Sequence, residues 1–148
     1  MTTIYVRPGE GRHNPMIDGD HIAKAAVQDA CGAFEVFESI APAAPMAHPH
    51  ISPWTSVLFL LEGRITAVVG GTSYDVEPGG VVVFPAETSA TFGIVGDSAR
   101  FVTVTSGDGG GRFFADFVSS VPVDQPAEDS MAAILAVTRR HGVALAGA

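Results

Sequence analysis

Two histidines separated by one residue, His48 and His50, are the part of this chain best suited to chemistry. On an extended strand, residues i and i+2 face the same side, so both imidazoles would project together. Two such rings make the beginning of a transition-metal site or a pair of groups that exchange protons near neutrality. Other chemistries lack their residues. Asp108–Gly111 is glycine-rich, but no Lys-Ser/Thr follows, so it reads as a loop rather than a phosphate cradle. No Gly-x-Ser-x-Gly elbow is present. The carboxylates Glu35 and Glu38, and Glu128 and Asp129, read as solvated faces.

The composition narrows the partners. A formal charge of −8 with Lys24 as the only lysine would repel a phosphate backbone, which argues against nucleic acid and anionic membrane. Apolar runs such as Val57–Leu61 are far shorter than the roughly 20 residues that span a bilayer. One cysteine, Cys31, leaves no internal disulfide and fits a reducing compartment, and the N-terminus carries no basic-then-apolar signal. The expectation is a cytoplasmic protein.

Seventeen Gly and ten Pro punctuate the chain, as a fold of many short strands requires. Candidate strands are His21–Val27, Ala33–Ile40, Thr55–Leu61, Arg64–Val69, Thr72–Val76, Gly80–Phe84, Ala90–Ile94 and Arg100–Thr105. Turn signals separate them, among them Glu62-Gly63, Gly70-Gly71 and Gly96–Ser98. Thr2–Asn14 reads as an arm with a short strand near Ile4–Val6. Helix enters late: a turn or two at Arg112–Val118, then Pro126–His141, with acidic residues in its first turn and basic ones in its last. Met131, Ile134, Leu135 and Thr138 would form its inward stripe and pack on the outside of the strands.

The spacing of several pieces resembles the cupin superfamily, in particular small single-domain proteins similar to quercetin dioxygenases and cupin-type polyketide cyclases. They are His48-x-His50, the Leu61-Glu62-Gly63 turn, and the Pro78-Gly-Gly to Phe84-Pro85 run. Gly32-Ala33-Phe34 and Gly110–Phe114 also look like that family. The resemblance implies an all-β double-stranded β-helix (a jelly-roll barrel) with a C-terminal helix. It implies one domain over 1–148, with a barrel core at about 20–106, an arm at 1–19 and a helical segment at 111–148. It also implies a homodimer formed through an outer sheet edge.

The resemblance implies four metal ligands, and two positions depart from it. The family's glutamate falls on Ser56 and its third histidine on Ala90. His48 and His50 alone would hold a divalent ion (Zn, Fe, Ni or Mn) only loosely, unless His13, His21 or Glu87 completes the shell. If Ser56 faces inward, strand parity turns Leu58 and Leu60 inward too. If Ala90 does, Phe92 and Ile94 follow. Trp54 would cap an aromatic ligand or cover the barrel's edge. An apolar pocket with a few polar groups suits a small hydrophobic molecule.

Three functions follow from these readings. The first is a cyclase or isomerase of a polyketide-like intermediate, in which His48, His50 and Ser56 act without a cofactor. The second is a metal-dependent dioxygenase-like protein with non-standard ligands. The third is a ligand-binding protein with no catalysis.

Overall fold

The computed structural model describes residues 3–146. Nine antiparallel strands form one strongly curled sheet: β1 (Pro15–Met16), β2 (Gly19–Asp29), β3 (Gly32–Pro42), β4 (His50–Ile51), β5 (Ser56–Val69), β6 (Thr72–Val76), β7 (Val81–Phe84), β8 (Ala90–Ser106) and β9 (Ala144–Leu145). The order is β1-β2-β3-β8-β4-β9, and β5 pairs with β6, β7 and β8. Helix α1 (Gly109–Ser120), a 3-10 turn (Ala127–Ser130) and helix α2 (Met131–Arg140) lie between β8 and β9. The all-β half-barrel with C-terminal helices agrees with the expected fold class.

Four expected strands are fused into two. β5 joins Thr55–Leu61 to Arg64–Val69, and β8 joins Ala90–Ile94 to Arg100–Thr105. Glu62-Gly63 bulges rather than turns: the β5–β8 register shifts between Leu60 and Glu62 and again between Glu62 and Arg64. A bulge bends a strand and lets the sheet curl without ending the ladder. Gly63 has φ +89°, and a Cβ there would sit 2.4 Å from the Ser98 carbonyl oxygen and 2.9 Å from Ala99 Cα. Gly63→Ala is therefore expected to cost about 3 kcal/mol, combining left-handed strain with a backbone clash. A urea midpoint matching that of the parent protein would contradict this.

The curl gathers the core on the concave face, where Leu58, Leu60, Ile65, Ala67, Ala99 and Phe101 are nearly inaccessible. A second cluster, Met16, Phe117, Val121, Ile134 and Val137, joins the helices to the β1 hairpin. The expected inward stripe of α2 is partly corrected. Ile134 and Thr138 are buried, Met131 and Leu135 only partly so, and the fully buried Val137 was not in the stripe. Nor does α2 pack on the outside of the sheet. It packs on α1, and Phe114 of α1 sits edge-on to Phe37 of the concave face, with ring centroids 4.9 Å apart. Asp116 joins the two helices, accepting hydrogen bonds from Arg140 (3.0 Å) and His141 (2.8 Å). These partners hold its carboxyl well below the usual carboxylate range.

Of the four carboxylates read as solvated, Glu128 and Asp129 are exposed, whereas Glu35 and Glu38 are engaged. Glu35 accepts a hydrogen bond from the Gly111 backbone N–H at 3.0 Å, which caps α1 from a neighbouring strand and lets the helix begin at Gly109 instead of Arg112. Glu38 is only 6% exposed. It receives the Gly9 N–H (2.9 Å), Lys24 Nζ (3.3 Å) and Arg100 (3.2 Å). Lys24 also donates to the carbonyls of Arg7 and Glu10. The arm is thus held to the sheet by these charged groups, and Ile4–Val6 forms no strand.

Candidate functional site

Directly opposed residues of an antiparallel ladder share a face, so the register says which side chains look inward. Ser56 stands opposite Thr105 on β8 and Phe84 on β7. Leu58 and Leu60, next along that face, are 1% and 0% exposed. His50 stands opposite Ala90, and Ala90 opposite Val69. Val69 packs against the concave core, so His50 faces inward. Ala90 is buried at this rim, and Phe92 lies between Phe84 and Phe101 at centroid distances of 6.2 and 5.6 Å. Ser56, Leu58, Leu60, Ala90 and Phe92 thus share one face, with Leu58 and Leu60 closed into the core.

The expected pairing of the two imidazoles on one strand is corrected. Only His50 and Ile51 form β4, and His48 precedes it in an exposed irregular segment. The alternation that would align the rings needs a continuous ladder through 48–50. Here the Pro49 carbonyl is instead taken by the Ala146 N–H at 2.8 Å, which ties this rim to β9. His50 is half-buried, and burial pushes its pKa below the ordinary 6.5, outweighing the opposite pull of Asp18 and of the His48 carbonyl. It is a neutral base at neutral pH.

Trp54 covers the start of α1. Its ring lies 5.8 Å from that of Phe113, and a Cβ on Gly109 would be 3.3 Å from it. Thr105 carries a buried hydroxyl with no hydrogen-bond partner, close beneath Gly110.

A polar chain not foreseen as a unit lies on the same concave face. His21 stands opposite Ser39. One ring nitrogen meets Ser39 Oγ at 2.8 Å and the other Asp18 Oδ1 at 2.9 Å, while Phe114 stacks on the ring at 4.9 Å. Burial lowers the His21 pKa, but the charge and hydrogen bond of Asp18 outweigh it and leave the value above 6.5. Asp18 thus acts electrostatically on two histidines that titrate in opposite directions. The Asp18-Gly19 dipeptide was the available signal for the turn that places it.

These shifts make stability depend on pH with opposite signs. His21, raised in the fold, contributes fully below its unfolded pKa and loses that contribution as pH rises through the folded value. His50, lowered in the fold, opposes folding below its unfolded pKa and ceases to do so above it. Urea stability is therefore expected to peak near about pH 6.5 and to fall as the pH rises above it, with His21→Gln flattening the alkaline side. His13, paired with Asp20 at the surface, adds to the alkaline side in the same direction. A monotonic rise from about pH 5.5 to 8 would contradict the assignment.

Residues 36–105, which include Ser39, His50, Ser56 and Ala90, match the family model described as Cupin domain. This segment is a cupin domain. Solved structures similar to it include KdgF from Halomonas sp., at 13% identity and TM-score 0.63, covering 72% of this chain and 96% of that one. The polyketide cyclase RemF from Streptomyces resistomycificus is similar at 20% identity and TM-score 0.51, covering 73% and 80%. The plu4264 protein from Photorhabdus luminescens is similar at 13% and 0.56, covering 78% and 96%. These likenesses concern the fold. No curated protein sequence matches the chain.

The residues of this cupin domain do not fit the metal that the family resemblance implies. Ser56 and Ala90 replace two ligands, and His48 lies outside the strand that carries His50. Nor do the expected substitutes complete the shell. Both ring nitrogens of His13 are engaged, by Asp20 Oδ2 (2.6 Å) and the Gly9 carbonyl (2.9 Å), and both of His21 as described. Glu87 is exposed at φ +61°. Among the described residues no three His, Cys, Asp or Glu gather to hold an ion. Among the described residues, too, no helix is long and apolar enough to cross a membrane.

Proposed function

We propose that this cupin domain binds a neutral, hydrophobic, polyketide-like molecule and promotes its cyclisation or isomerisation by proton transfer at His50. The observation that carries the reading is His50 itself: inward-facing, half-buried, neutral near pH 7 and set opposite Ala90 on an apolar face. A neutral imidazole takes the proton from the carbon between two carbonyls, leaving an enolate. The enolate carbon bonds to a third, more distant carbonyl of the same chain, whose oxygen then receives the proton back from the imidazolium. Ser56 supplies a hydroxyl to an enolate oxygen, and His48 stands at the rim. The apolar face holds the flexible chain folded, which lowers the entropic part of the barrier. The fold is shared with a protein described as a polyketide cyclase. In this reading the protein is cytoplasmic and works as a homodimer.

A second reading, binding without turnover, is favoured by the absence of His48 from the strand that carries His50, which leaves a single imidazole on the face. One experiment separates the two. The protein is mixed with a short poly-β-carbonyl thioester and with fluorenone, a neutral polycyclic ketone. Ring closure above the spontaneous rate supports the enzyme, and fluorenone binding without closure supports the binder. Neither effect would refute both.

A further inference from the structure

The convex face of the sheet carries an apolar surface that the pocket chemistry does not use. The register aligns Val36 of β3, Val104 of β8, Val57 of β5 and Val83 of β7 in one row across four strands. The next row on that face runs through Val102, Phe59 and Val81 and ends at Glu38. Val81 is 55% exposed, Val83 47% and Phe59 41%. Outward positions of a half-covered sheet are ordinarily polar. Here they are β-branched and aromatic across the full width of four strands.

We infer that this convex face, not the sheet edge alone, is where a second copy of the chain docks, sheet against sheet. The inference rests on the homodimer reading and gives it a surface. Three observations favour a second copy. First, the rows are uncharged in a chain of formal charge −8, so two copies can meet there without bringing like charges into contact. The one carboxylate that ends a row, Glu38, is already matched by Lys24 and Arg100. Second, the rim beside the bulge alternates in sign, with Arg100 on Glu62 and Arg64 on Glu77. A twofold axis can set each cation of that rim against an anion of the other copy. Third, the exposed apolar area, on the order of 400 Å², is comparable to the largest patch of a typical monomer, which is often functional. The patch also runs to β7, which pairs only with β5 among the described residues and leaves its outer edge open.

The test is the sedimentation mass of the full chain at tens of micromolar. The parent protein is expected to be a dimer. Val81→Glu with Val83→Glu is expected to be a folded monomer by circular dichroism, and Val123→Glu, 55% exposed between the helices, is expected to remain a dimer. If the double glutamate variant does not fold, Val81→Thr with Val83→Thr replaces it. A dissociation constant raised at least tenfold then supports the interface, and an unchanged one overturns it. A parent dimer that survives the glutamates overturns the convex face while leaving the homodimer reading intact. A monomeric parent overturns both, and neither result bears on the proton transfer assigned to His50.

Discussion

Replacing His50 by alanine is expected to lower the rate of ring closure by about 10² to 10⁴, the contribution of one positioned acid–base group. The same change at His48, exposed and outside β4, is expected to cost less than about threefold, because a group at the rim contributes little to proton transfer at the centre. The contrast matters more than either value, since both substitutions remove one imidazole from nearly the same stretch of sequence. The active form is the free base and burial depresses its pKa, so the rate should rise with pH through an inflection below 6.5 and stay level above it. Asp18→Asn removes a charge that favours the imidazolium, and should move that inflection lower still. Equal losses for His48→Ala and His50→Ala would contradict the assignment of His50 as the base. An inflection above 6.5 would do the same.

Glu38→Ala is expected to be the most destabilising of the charge substitutions, by about 3 kcal/mol, because one partner of a buried ion cluster is removed while its cations stay. Its carboxylate is 8% exposed, and the partners it would leave, Lys24 and Arg100, are 14% and 35% exposed. The Gly9 N–H bond and the ion pairs hold its carboxyl below its ordinary pKa, against the cost of burial. The stability it contributes is present above about pH 4.5 and is lost as pH falls through the lowered value. The loss should be local as well as global, because the arm hangs on this cluster. Trypsin is expected to cut after Arg12 in the variant well before it cuts the parent protein. Arg64→Ala, which breaks a pair 57% and 70% exposed, should shift stability by no more than about 0.5 kcal/mol. Equal effects from the two substitutions would mean that Glu38 is not the anchor its contacts describe.

The fold was largely legible in the sequence because its signals are local. Turn glycines, short apolar runs and the spacing from His48 to Pro85 need no knowledge of distant contacts. Strand parity from Ser56 correctly turned Leu58 and Leu60 inward, since a period of two is a property of the strand itself. The misreadings occurred where one residue's role depends on a remote segment. Gly63 looks like a hairpin glycine until Ser98 and Ala99 are seen to close on it, which makes it a bulge within one long strand. Glu38 alternates with Phe37 and Ser39 as an outward, solvated residue should, and only the overlying arm, which has no periodicity to read, buries it. The site divides in the same way. His50 and its apolar neighbours follow from spacing and parity. The His21 chain depends on a β2–β3 register that brings Ser39 opposite it, 18 residues away, and on a turn that returns Asp18. His48 failed to join His50 because β4 begins at His50.

The central claim, that His50 is an inward-facing neutral base on an apolar face, is tested most directly by a site-resolved NMR titration of its imidazole, assigned by the loss of its signals in His50→Ala. The ring is expected to titrate below 6.5, and its signals are expected to shift when fluorenone is added. Titration at or above 6.5, with signals that fluorenone leaves unmoved, would contradict both the burial and the role assigned to His50.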